Sequence, residues 1–153
     1  MSTSARAGSI GGLTIERIRA TEPHRHILLP RAVAGLPLLA VGLAHVFVPD
    51  ASMRALVEAA GLPLAAVLSP FAVGVELVAA VSLLLGFWAR IGGVLAMVTM
   101  LMALYAHLVI DVWPNGVDNE PPLALPIVII LCAGYVVWRG AGRWSLDRRG
   151  SQT

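Results

Sequence analysis

From Ile91 to Ile110 the chain runs 20 residues without a formal charge, and a helix of that length, rising 1.5 Å per residue, crosses the ~30 Å hydrocarbon core of a bilayer. Comparable apolar runs begin near Ile27, Pro63 and Pro121, separated by short polar or turn-forming stretches. With 58% of its 153 residues hydrophobic, 13% charged and a mean hydropathy of +0.80, the chain has too little polar surface to enclose a water-soluble core. The pattern predicts an all-α integral membrane four-helix bundle with spans at about 27–48, 63–88, 91–110 and 121–138. Little chain remains outside the spans, so any chemistry sits among the helices or at their ends.

Residues 1–26 are small, polar and arginine-bearing and are expected to form a flexible cytoplasmic tail; they contain no signal-peptide apolar core. The membrane domain covers 27–140, and 141–153 form a basic cytoplasmic tail. Pro37 is expected to kink the first span, which Pro49-Asp50 ends. Between spans one and two, Met53, Leu56 and Val57 alternate with Arg54 and Glu58 at helical spacing, which predicts a short amphipathic segment at the outer surface. The second span starts at Pro63 or at Ser69-Pro70, where serine as N-cap before proline makes a start signal. That choice decides whether Glu76 lies mid-bilayer or about 10 Å from the outer edge.

Orientation follows from the arginines. Arg6, Arg17, Arg19, Arg25 and Arg31 precede the first span, Arg90 lies in the turn after the second, and Arg139, Arg143, Arg148 and Arg149 follow the fourth, while Arg54 alone falls on the other side. The positive-inside rule then places both termini in the cytoplasm. Trp88 and Trp138 mark the inner interface and Trp113 the outer. This edge distribution explains the net charge of +2 better than nucleic-acid binding does.

Glu76 is the one carboxylate inside an otherwise apolar span, and an ionised, unpaired carboxylate there costs about 2.5–3.5 kcal/mol on insertion scales. It is expected to be protonated or paired, either as a functional group or as a tie from its carboxyl to a backbone carbonyl of another helix. His45 and His107 both fall about 6–7 Å inside the outer ends of spans one and three. Asp111, four residues after His107, shares its helical face and can accept the imidazole N–H; Tyr105 adds a hydroxyl that projects in a different direction. Glu76, His45, His107, Asp111 and Tyr105 are the candidate ligand-binding residues, with Glu76 and His107 the candidates for proton transfer. Two histidines without a close-spaced ligand motif give no metal site. Cys132 is the single cysteine, so no intramolecular disulfide exists, and no nucleotide-binding loop or nucleophile elbow is present.

Several runs carry a family resemblance: Gly42-Leu43-Ala44-His45-Val46-Phe47-Val48-Pro49, Gly61-Leu62-Pro63, Gly74-Val75-Glu76-Leu77, Leu83-Leu84-Leu85-Gly86-Phe87-Trp88-Ala89-Arg90 and the closing Gly140-Ala141-Gly142-Arg143-Trp144-Ser145-Leu146-Asp147. Over about residues 31–148 the chain resembles the DoxX family of four-helix membrane proteins. The resemblance implies a bacterial plasma membrane, association with a respiratory or redox system, redox enzymes or respiratory-complex subunits as partners, and a diffusible quinone as the cofactor, with Glu76 matching the shared glutamate. Three roles stay open: a subunit that binds a quinone-like or other amphiphilic molecule and scaffolds redox partners, a quinone-linked oxidoreductase subunit with Glu76 and His107 as proton carriers, or a purely structural subunit packing through Gly74, Gly92 and Gly93.

Overall fold

The computed structural model describes residues 25–48, 53–110 and 122–149. Among them there is no strand. A 3-10 turn, Arg25–Ile27, leads into α1 (Leu28–Phe47). The short α2 (Met53–Ala59) follows, then α3 (Ala65–Leu85), α4 (Ala89–Val109), α5 (Ala124–Arg139) and a final turn of helix, α6 (Leu146–Arg149). Three helices, Arg25–Phe47, Ala65–Leu85 and Ala89–Val109, are long and apolar enough to cross a membrane, and α5 is apolar but shorter, at 16 residues.

The four long helices close a ring in which α1 packs on α3 and α5, and α4 packs on the same two, so α1 and α4 face each other diagonally. One end of the ring gathers the start of α1, the end of α3, the start of α4 and the end of α5; the other carries α2, which packs on α3. α1 runs unbroken through Pro37, and α5 accommodates Pro126 in its first turn, where the missing N–H is unpaired anyway. α3 starts at Ala65 rather than at Ser69-Pro70. Ser69 is not an N-cap: its hydroxyl donates to the carbonyl of Ala65 one turn back, and Leu64 takes the boundary in the left-handed conformation at φ 58°. This start leaves Glu76 about 17 Å from the first residue of α3 and about 14 Å from its last.

Packing differs between the two ends. At the Arg31 end the core is built of Ala34, Ala79, Ala80, Ala89, Ala96 and Ala133, all fully buried, around Leu38, Leu83 and Val136. Small side chains let the backbones approach, which is how helices gain contact in lipid. A Cβ on Gly93 would meet Val137 at 2.7 Å, one on Gly35 would meet Leu84 at 2.8 Å, and one on Gly92 would strike Ser82. Gly92 and Gly93 are therefore consumed inside the bundle and are not free to pack partner helices; Gly74 faces open space. The lipid-facing surface carries exposed Leu36, Val78, Val94, Leu101 and Leu131.

A polar clasp locks that end. Arg31, 1% exposed, donates from Nε to Leu83 O (2.7 Å), from Nη2 to Leu84 O (2.7 Å), and from Nη1 to Ala141 O (2.9 Å) and Trp144 O (2.6 Å). The carbonyls at a helix C-terminus lack intrahelical donors, and one guanidinium supplies them for α3 while also holding the segment after α5. Asp147, equally buried, accepts from the amides of Trp88 (2.8 Å) and Ala89 (3.1 Å) at the start of α4, and its own amide donates to Gly86 O. A carboxylate at a helix N-terminus also meets the positive end of the macrodipole. Residues 141–147 are thus packed structure, and Arg31 is an internal strut rather than a loose interfacial charge. Exposed Trp88, Trp138 and Trp144 surround this clasp, with the Arg139 guanidinium 5.3 Å above the Trp138 ring.

Candidate ligand-binding cavity

In the half of the bundle nearer α2, the side chains between the helices become larger and no longer fill the ring. They leave a partly open cavity of about 350 Å³ whose walls come from all four long helices and from α2. α1 contributes Leu38, Val41 and His45; α3 contributes Phe71, Val75 and Glu76; α4 contributes Thr99, Met102, Tyr105 and His107; α5 contributes Pro126 and Ile129. Met53, Leu56 and Val57 of α2 also line it, so the amphipathic segment turns its apolar face inward, while Arg54 and Glu58 pair in solvent at 2.8 Å.

Glu76, His45, His107 and Tyr105, drawn from three different helices, all line this cavity. The helical repeat separates the side-chain directions of Tyr105 and His107, yet the cavity is wide enough to include both. Asp111 and Trp113 lie outside the described residues, as do the N-terminal tail through residue 24 and Asp50. His107 Nδ1 lies 2.8 Å from Ala103 O. A carbonyl can only accept, so Nδ1 carries the proton and Nε2 is directed elsewhere. Thr99 turns its hydroxyl back to Ala96 O at 3.0 Å.

Glu76 is 3% exposed, and its Oε2 has no hydrogen-bond partner among the described residues. Its aliphatic stem lies beside Gly42, where a Cβ would meet Glu76 Cγ at an ordinary 3.5 Å but Leu77 Cδ2 at 2.8 Å, so the glycine makes room for Leu77. A carboxyl tying helices through a backbone carbonyl would show that bond, and none is formed among the described residues. A buried polar atom left unpaired costs about 1–3 kcal/mol, and the structure keeps one at the wall of an otherwise apolar cavity. His26, exposed before α1, sets Nε2 2.9 Å from Tyr135 Oη, away from the cavity. The methionines and Phe71 carry no signature in sequence as cavity walls, because apolar residues in a span look alike until the facing helices are known.

Comparison with known proteins agrees with the helix pattern. Over 140 residues, 87% of this chain and 86% of the relative, it is 27% identical to the uncharacterized membrane protein Rv3486 of Mycobacterium tuberculosis strain H37Rv. No solved structure matches. The DoxX family model matches residues 26–108, from the turn before Arg31 through α4, which takes in Glu76 and both cavity histidines but stops before α5 and the clasp segment. Matched over more than half its length, the chain belongs to the DoxX family.

Proposed function

We propose that this protein is a four-span plasma-membrane subunit, both termini cytoplasmic, that takes the polar head of a quinone-like amphiphile into the cavity between its helices. The observation that carries the reading is Glu76: a buried carboxyl with an unpartnered oxygen, on the wall of an apolar cavity large enough for a ring-sized head group. A carbonyl of the head would take a hydrogen bond from the protonated Glu76 carboxyl, and the apolar walls would hold the ring and the start of the tail. Glu76 and His107 share the cavity, which also suits them as proton carriers to a bound quinone. The family resemblance supplies redox proteins as partners. The structural-subunit alternative loses part of its support, since Gly92 and Gly93 pack within the chain.

The fourth crossing is assigned to α5, about 24 Å long, with the apolar residues just before it. The arginine bias supports the orientation even with Arg31 set aside as a strut. The test is mass spectrometry of lipid-soluble molecules retained by the detergent-purified protein. Stoichiometric quinone in wild type, lost in Glu76→Gln with His107→Ala, supports the reading; equal retention in both, or none in either, rejects it.

A further inference from the structure

The cavity has a buried acid and, among the described residues, no lysine or arginine to pair with it. The chain contains no lysine, and none of the described arginines lines the cavity. Arg31 is engaged by four carbonyls at the other end of the bundle, and Arg54 pairs with Glu58 in solvent. Among the described residues, the titratable groups that face the cavity with Glu76 are His45 from α1 and Tyr105 and His107 from α4, while the linings from α2 and α5 are apolar. Glu76 Oε2 therefore stands buried with no partner among the described residues. The wall is largely aliphatic, with polarizable groups set into it: Phe71 and Tyr105 carry aromatic rings, and Met53, Met100 and Met102 carry thioethers. Rings attract cations through their faces, and methionine adapts its shape to an irregular guest.

We infer that this cavity also binds lipophilic organic cations, with Glu76 as the countercharge, in exchange for the Glu76 proton. The inference rests on the cavity being the ligand site proposed above, and it assigns that site a second chemical class. The exchange balances simply: the carboxyl O–H bond breaks, the proton leaves to water, and the carboxylate pairs with the guest's permanent positive charge. No electron moves. A permanent cation binds the ionised form of Glu76, so its affinity rises with pH. A neutral quinone accepting a hydrogen bond from the carboxyl shows the opposite trend.

The probe is tetraphenylphosphonium, titrated into the full-length protein in detergent at several pH values, with proton release followed in weak buffer and a short-chain quinone titrated in parallel. The inference predicts saturable binding that tightens by up to about tenfold per pH unit over the range where Glu76 titrates, with release of up to one proton per cation. Glu76→Gln weakens binding at least about tenfold at the upper end of the pH range and removes both the pH dependence and the proton release; Glu76→Asp keeps both. Binding that is indifferent to pH and to Glu76→Gln overturns the inference. If that happens while the quinone still binds and loses affinity in Glu76→Gln, the cavity reading survives; if neither ligand depends on Glu76, both fall.

Discussion

Arg31 and Asp147 hold one turn from opposite sides: the guanidinium takes the carbonyls of Leu83 and Leu84 ahead of Gly86, and the carboxylate takes the amides of Trp88 and Ala89 behind it. The two charges lie near enough to interact. Between them Trp88 is held at φ 49°, a left-handed conformation costing a non-glycine residue about 1–2 kcal/mol, and the Ser82 hydroxyl donates to Phe87 O at 2.6 Å.

Removing either half of the clasp should destabilise the bundle far more than removing an exposed charge. Arg31→Ala strands four carbonyls, and a loss of about 3–5 kcal/mol is expected; Asp147→Ala strands two amides, with an expected loss of about 2–3 kcal/mol. Because both act on one turn, the double variant should lose less than the sum. Equilibrium unfolding in mixed micelles measures all three, and additive effects would show that the two residues act separately.

Gly86 and Gly74 should respond in opposite ways to alanine. Gly86 has φ 66°, and a Cβ there would meet Arg31 Nη2 at 2.6 Å, so Gly86→Ala should cost more than about 1 kcal/mol. Gly74 sits mid-helix with nothing within 4 Å, and Gly74→Ala should be neutral or stabilising by up to about 1 kcal/mol. Thermal unfolding of the two variants compares them directly.

Glu76→Gln should leave folding intact while removing ligand. No hydrogen bond to the carboxyl of Glu76 is formed among the described residues, so the amide loses no partner, and stability should stay within about 0.5 kcal/mol of wild type. A large destabilisation would mean the glutamate is a structural tie after all.

Orientation is testable at two exposed positions at opposite ends of the bundle. In a Cys132→Ser background, Glu58→Cys on α2 should react with a membrane-impermeant maleimide on intact cells, and Arg143→Cys after α5 only once the membrane is permeabilised. The reverse pattern would invert the topology.

The long helices were legible because length and hydropathy are local, so the runs from Ile27 and from Ile91 announce themselves without knowledge of their neighbours. Glu76 was legible for the same reason, as a charge in an apolar run. The role of Arg31 is not legible in sequence, where an arginine at the edge of such a run counts only toward orientation. Its true partners, the carbonyls of Leu83, Leu84, Ala141 and Trp144, are far away in sequence and carry no side-chain signature. The start of α3 was ambiguous because Ser69-Pro70 forms a good local cap signal, which the Ser69 hydroxyl instead satisfies within the helix. The cavity itself arises from diagonal placement of α1 and α4, a property of the closed ring rather than of any segment.

The most direct test of the central claim is photo-crosslinking with a short-chain quinone that carries a photoreactive group on its ring, followed by peptide mapping. Adducts on cavity residues such as Val75, Met100 and Ile129 that disappear in Glu76→Gln are the predicted result. Adducts confined to the lipid-facing Leu36, Val78, Val94 and Leu131, unchanged in the variant, would contradict it.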